Sequence, residues 1–112
     1  MKADRLAALE VITAVGATGV EFFVSGYLRH RCPFAPEIDE GTVEIRLVID
    51  ASTVELHSLR RYLATFADEA LPHEALTDLV ASELAAALNP RSIEVVTRWR
   101  TAGFEVVVTA RR

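Results

Sequence analysis

Hydrophobic and polar positions along this chain switch between a two-residue and a three-to-four-residue period, and each switch marks an element. Val20 to Tyr27 is rich in aromatic and β-branched residues and follows a break bracketed by Gly16 and Gly19, which predicts a first strand. Val43, Ile45, Leu47 and Ile49 alternate with Glu44, Arg46 and Val48, the pattern of a half-buried second strand. Between Asp50 and Asn89 the spacing becomes helical. Leu59, Tyr62, Leu63 and Phe66 share one helix face, with Ser52 or Thr53 available as its cap. Pro72 stands where a second helix would begin, Leu76, Leu79, Val80, Leu84 and Leu88 supply its buried stripe, and Asn89-Pro90 supplies its stop. Alternation then returns with Ile93, Val95, Thr97 and Trp99, and Thr101-Ala102-Gly103 turns the chain into Phe104, Val106, Val108 and Ala110. Two stretches are less regular. Ala3 to Ala14 fits a short helix through Leu6, Leu9 and Ile12, while Leu9 to Val15 fits an extended segment equally well. Arg29 to Gly41 holds prolines and a cysteine in no periodic order and reads as a loop.

The order strand-strand-helix-helix-strand-strand predicts an α+β fold, one four-stranded antiparallel sheet with both helices on one face, formed by residues 1–112 as a single domain. Four strands cannot close a barrel, and unpaired edges invite pairing with identical neighbours. A ring-like homo-oligomer with sites between subunits is therefore expected. A chain of 112 residues, about half apolar, suffices for one real core. The net charge of −4 is spread out, which argues against a nucleic-acid tail or a membrane patch and favours a small-molecule or protein partner. A lone cysteine, no signal-peptide core and no apolar run of membrane length make the reducing cytoplasm the default compartment.

Chemistry has few candidates. Cys32 follows Arg29, His30 and Arg31, and neighbouring cations favour the thiolate that acts as a nucleophile, although single cysteines are more commonly inert filler. His30 and Cys32 form a His-x-Cys pair that could ligate zinc only with help from His57, His73 or a carboxylate, so no metal is expected. Glu37, Asp39 and Glu40 cluster after the cysteine; such groups are commonly solvated, but a loop carboxylate can serve as a general acid. His73 and Glu74 fall in the first turn of the second helix, where Glu74 either favours the helix dipole or accepts hydrogen bonds from a guanine-like base. Tyr62, Phe66 and Trp99 read as core, and Arg60, Arg61, Arg98 and Arg100 as solvated faces or phosphate contacts.

From Cys32 onward the chain resembles the nitrile reductases known as QueF, of the tunnelling-fold superfamily. The resemblance is carried by Cys32-Pro33, Asp39 and Thr42, and by a helix signature present in altered form as Glu55-Leu56-His57-Ser58-Leu59-Arg60-Arg61-Tyr62. Phe66, His73-Glu74, Asn89-Pro90-Arg91 and Ile93-Glu94-Val95 come after it without a gap, so that about eighty residues are covered. The resemblance implies that Cys32 attacks the nitrile of 7-cyano-7-deazaguanine to give a thioimide, with Asp39 and His73 in proton transfer and Glu74 anchoring the base. NADPH would then reduce the thioimide to the 7-aminomethyl product, with His57, Ser58, Arg60 and Arg61 at the cofactor.

The departures fall on the cofactor side. His57 and Arg60 replace the signature's two lysines, and Ala102-Gly103-Phe104 replaces an Arg-Gly-Gly turn. An ordinary imidazole is largely neutral at pH 7 and alanine offers no donor, so weaker phosphate recognition is expected. A related branch uses the same thioimide to add ammonia and form an amidine on tRNA, with no reduction. That is the alternative, with tRNA as partner; a non-catalytic deazapurine- or pterin-binding module is a third.

Overall fold

The computed structural model describes residues 2–112. The alternating stretches pair into one antiparallel sheet, in which β2 (Glu21–Arg31), β3 (Ile38–Val48), β5 (Ser92–Thr101) and β6 (Phe104–Arg111) lie in the order β2-β3-β5-β6. Odd-numbered positions of β3 and β5 point to the same face, and among them Val43, Ile45, Leu47, Ile93, Val95 and Trp99 are buried. Against that face lie α2 (Leu56–Ala64), a 3-10 turn (Thr65–Asp68) and α3 (His73–Leu88). They contribute Leu59, Tyr62, Leu63 and Phe66 from one side and Leu76, Val80, Leu84 and Leu88 from the other. Each such aliphatic or aromatic side chain contributes about 1.5–3 kcal/mol when fully buried. The opposite face carries Glu44, Arg46, Arg98 and Arg100.

The ambiguous N-terminal stretch takes both forms. α1 spans Lys2–Ala7, and β1 (Val11–Thr13) pairs with β4 (Ser52–Val54) in a two-stranded sheet. That pairing corrects the expected cap of α2. Ser52 and Thr53 are committed to backbone pairing with β1, and Glu55 caps instead, accepting from the His57 and Ser58 backbone N–H groups at 2.8 Å each. These bonds, the His57 N–H foremost, hold the Glu55 carboxyl down to about 2. The helix stop lies where expected, with Asn89 left-handed at φ 47°. Ala102 (φ 52°) and Gly103 (φ 82°) form the two-residue turn between β5 and β6.

The largest correction concerns the supposed loop. β2 runs on to Arg31 and β3 begins at Ile38, with Arg31 opposite Ile38, so the loop shrinks to residues 32–37. Arg29, His30 and Arg31 are strand residues because the backbone ladder with β3 continues through them.

A buried ionic cluster ties the helices together. Arg5 of α1 donates to both Glu83 carboxylate oxygens of α3 (3.1 and 2.9 Å) and to Glu69 (2.8 Å), lies 5.0 Å from the Phe66 ring centre, and shares Glu83 with the Tyr62 hydroxyl (2.8 Å). Burial and then the Glu83 carboxylate drive the Tyr62 hydroxyl well above its ordinary range, so it remains a donor. Replacing Arg5 by Met should lower the unfolding free energy in urea by about 3 kcal/mol, because Glu83 stays buried without its cation. Arg5→Met combined with Glu83→Leu should recover more than half of that loss. Equal losses in the single and double variants would show that the cluster carries no coupling.

Candidate active site

The site lies where the β2–β3 hairpin meets the first turn of α3. Cys32 is the first residue beyond β2 and is half-buried, with its backbone N–H bonded to the Glu37 carbonyl across the loop mouth (2.9 Å). One residue earlier, the Arg31 N–H donates to the Glu69 carbonyl (2.9 Å), and Arg31 bridges to Ala70. That bridge brings Leu71, Pro72 and His73 alongside the hairpin. Strand periodicity places His30 on the inward face, with Leu28 and opposite Asp39. The thiol, the carboxylate and the start of α3 therefore gather at one end of the sheet.

Asp39 is buried, unlike its neighbours Glu37 and Glu40, which are exposed. His73 Nε2 and Asp39 Oδ2 are hydrogen-bonded at 3.1 Å, and His30 Nε2 stands 3.6 Å from the same oxygen. Trp99 floors both imidazoles, with ring centres 4.8 Å from His30 and 4.6 Å from His73. The tryptophan is fixed in turn. Its Nε1–H donates to Thr97 Oγ1 (2.9 Å), Thr97 meets Thr77 (2.6 Å), and Thr77 donates to the His73 carbonyl (2.7 Å). Gly41 makes room for this floor, since a Cβ there would lie 2.3 Å from the Arg98 carbonyl oxygen and 2.6 Å from Trp99 Cε3.

One expectation about His30 is overturned. It is fully buried, and burial first, then the neighbouring His73, lower its proton affinity against the opposing pull of Asp39. It therefore supplies no cation to Cys32. Nor does it join Cys32 in a ligand pair: among the described residues its close potential ligand partners are Asp39 and His73, with all three donor atoms within 4.8 Å of one another. A buried His30 was readable in the sequence, because it continues the parity of Phe22, Val24 and Leu28 along β2.

The remaining site candidates are spread more widely. Glu74 is exposed in the first turn of α3. His57 is exposed, and its ring is tied to the Glu55 carboxylate at 2.8 Å. Ser58, expected at the cofactor, is turned inward. It is buried, its hydroxyl donates to the Glu55 carbonyl (2.7 Å), and it accepts from the Glu10 N–H (2.9 Å). Arg60 lines a largely apolar groove of about 700 Å³ between α2 and β2, which Arg29 and Leu63 also line, and Arg61 is exposed outside that lining.

Known proteins share much of this chain. The family described as "QueF-like protein" matches residues 38–112, a span that includes Asp39, His73 and Glu74. The NADPH-dependent 7-cyano-7-deazaguanine reductase of Anaeromyxobacter dehalogenans (strain 2CP-C) is 44% identical over 81 residues, 71% of this chain and 66% of that protein. Its namesake from Pelodictyon phaeoclathratiforme is 39% identical over 72 residues, 64% of this chain and 62% of that protein. The match thus spans a little under two thirds of these curated relatives. Among solved structures, the archaeosine synthase QueF-Like in the apo form superimposes with a TM-score of 0.77 at 21% identity, covering 81% of this chain and 91% of that one, which is a likeness of fold.

Gly41→Ala should destabilise the protein by about 1–3 kcal/mol, an overpacking effect, and should shift the fluorescence of Trp99, the one tryptophan. An unchanged melting curve and spectrum would show that the Trp99 floor is not tightly held. His30, faced by Asp39 and His73, has a folded-state proton affinity below its unfolded value of 6.5. Its contribution to stability is therefore complete above about pH 6.5 and declines as pH falls through that value toward the lower folded one. His30→Gln should flatten the dependence of urea midpoint on pH between about 5 and 7; an identical slope would exclude His30 as its source.

Proposed function

The chain belongs to the QueF-like protein family, and from that membership we propose that it is a nitrile-processing enzyme acting on 7-cyano-7-deazaguanine, with Cys32 as nucleophile. The observation that carries this reading is the Asp39–His73 pair, part-buried at the end of the β2–β3 hairpin where the Cys32 loop begins. The thiolate would add to the nitrile carbon to form a C–S bond, and the nitrogen would take its proton from Asp39, giving a thioimide. His73 would orient Asp39 and return the proton. Glu74, one residue on, would accept hydrogen bonds from the ring N–H and exocyclic amine of the base, a contact that rejects bases lacking those donors.

For the fate of the thioimide, reduction to the 7-aminomethyl product is the first reading, because the relatives are named as NADPH-dependent reductases. Arg60 and Arg29 at the groove between α2 and β2 fit the phosphates of such a cofactor, which when bound supplies hydride. His57, held by Glu55, and Arg61 would lie at the rim. The second reading is addition of ammonia to the same thioimide, giving an amidine on a tRNA-borne deazaguanine. It is favoured by the altered cofactor positions His57 and Ala102 and by the fold shared with the archaeosine synthase QueF-Like. The tunnelling-fold assembly belongs to the same proposal. β2 and β6 are open sheet edges, and Phe23, Tyr27, Phe34 and Phe104 are exposed on or beside them, so protomers would pair edge to edge and bring sites to their seams.

Incubation with 7-cyano-7-deazaguanine should add the intact mass of the nitrile to the protein, and Cys32→Ala should abolish the adduct with an unchanged melting temperature. An adduct that persists in Cys32→Ala would remove the thiol from the mechanism. Glu74→Gln should weaken base binding at least tenfold with the adduct still formed at high substrate, and an unchanged dissociation constant would take Glu74 out of the site. Loss of NADPH absorbance with the nitrile supports the reductase; incorporation of labelled ammonia without it supports the amidine route. Sedimentation at micromolar concentration should give an oligomer.

A further inference from the structure

The geometry points to a transition-metal site formed by His30 of β2, Asp39 of β3 and His73 of α3, selective for a divalent ion of the zinc class. Zinc bonds of about 2.0–2.2 Å to nitrogen and oxygen in a tetrahedron set adjacent donor atoms about 3.3 Å apart. The two donor pairs through Asp39 Oδ2, 3.1 Å to His73 and 3.6 Å to His30, straddle that spacing, and the two imidazoles, within 4.8 Å of each other, would close inward on the ion. Two imidazoles and a carboxylate are a donor set that suits zinc, cobalt and nickel.

The independent observation is His30 itself. It is completely buried, it points at Asp39, and neither of its ring nitrogens completes a hydrogen bond of good geometry among the described residues, the backbone of Arg31 and Leu71 only approaching the ring. An imidazole left that way is less favourable than a leucine of similar shape, by the desolvation of its polar atoms. An ion on Nε2 would satisfy it. The surroundings are those of a held site: the chain of hydroxyls from Trp99 through Thr97 and Thr77 to the His73 carbonyl fixes the tryptophan beside both imidazoles and the backbone that carries His73 before any ligand arrives. Access is from the side of Asp39 and His73, whose side chains are 8% and 17% exposed against 0% for His30.

Such an ion would take the Asp39 and His73 atoms that the proposed nitrile chemistry uses, so the metal-bound protein would be the inhibited form. That consequence rests on the function proposed above; the site does not.

The test is titration of the whole protein, freed of metal by chelation, with Co²⁺. One equivalent should give the intense visible absorption of a tetrahedral ion, and Zn²⁺ should displace it. His30→Leu should weaken binding at least about 100-fold, since loss of outer-shell partners alone costs about 10–100-fold. His73→Ala, at a less buried position, should do the same and serves if His30→Leu melts early, while Cys32→Ala should bind as the parent does. Absence of the cobalt spectrum in folded protein, binding that survives both histidine changes, or binding lost with Cys32 alone would each overturn the site. Zn²⁺ should suppress the nitrile adduct on Cys32 and chelator should restore it; binding without suppression would overturn the inhibition. A chelated protein that binds Co²⁺ but never forms the adduct would sink the proposed function and leave the metal site standing.

Discussion

One register constrains everything at the functional end of this molecule: His30 of β2 faces Asp39 of β3. Side chains alternate along a strand, so a slip of one residue would carry Asp39 to the outer face among Arg46, Arg98 and Arg100 and would bring Glu40 inward. Two features hold the register. The apolar series Val43, Ile45 and Leu47 would become exposed if it slipped, and Gly41 is the one position of β3 at which Trp99 can lie flat on the backbone. The site is therefore a consequence of core packing several residues away. Hairpin, tryptophan floor and the start of α3 are positioned by the same alternation that buries the core.

The fold buries polar groups in two places, and the two are managed differently. Around Glu83 the network is complete, with Arg5 bidentate, Tyr62 donating and Glu69 taking the remaining guanidinium nitrogen. A fully satisfied buried network rigidifies the elements that it joins. Around Asp39 it is incomplete, since His73 bonds to it and His30 stands just beyond hydrogen-bond reach. Unfinished valence in an otherwise well-packed interior is where a protein keeps its capacity to bind or to move a proton. The satisfied cluster anchors α3 against α1 and α2, and α3 in turn presents His73 and Glu74 at its free first turn.

Much of this was legible in the chain. The four sheet strands, both long helices and the Asn89 stop come from apolar spacing, because each buries one face of a regular element. Three features were not. β2 continues through Arg29-His30-Arg31 because backbone pairing with β3 outweighs the polar character of those side chains, and local composition alone reads as a loop there. Ser52 and Thr53 are good helix caps by type but are taken by pairing with β1, a partner about forty residues away that spacing cannot reveal. The Arg5–Glu83 pair is separated by 78 residues, and an arginine in a six-residue helix has no local signal that it will be buried.

The helix signature shared with the nitrile reductases divides cleanly once its side chains are placed. Glu55 caps α2, Ser58 is buried against Glu55 and Glu10, and Leu59 and Tyr62 belong to the core. These retained letters have structural work whether or not a cofactor binds. His57 and Arg60, the altered letters, are both exposed, so changing them leaves the packing of α2 untouched. Partial survival of the signature therefore speaks for the fold, and cofactor use turns on what Arg60 and Arg29 can hold at the groove between α2 and β2. The thiol end is different: Asp39 and His73 are locked to one another and to Trp99, and a change there would disturb packing and chemistry together. One half of the site is free to drift while the other is not, so under the proposed function a single scaffold would keep its attack on a nitrile and exchange the second step of the reaction.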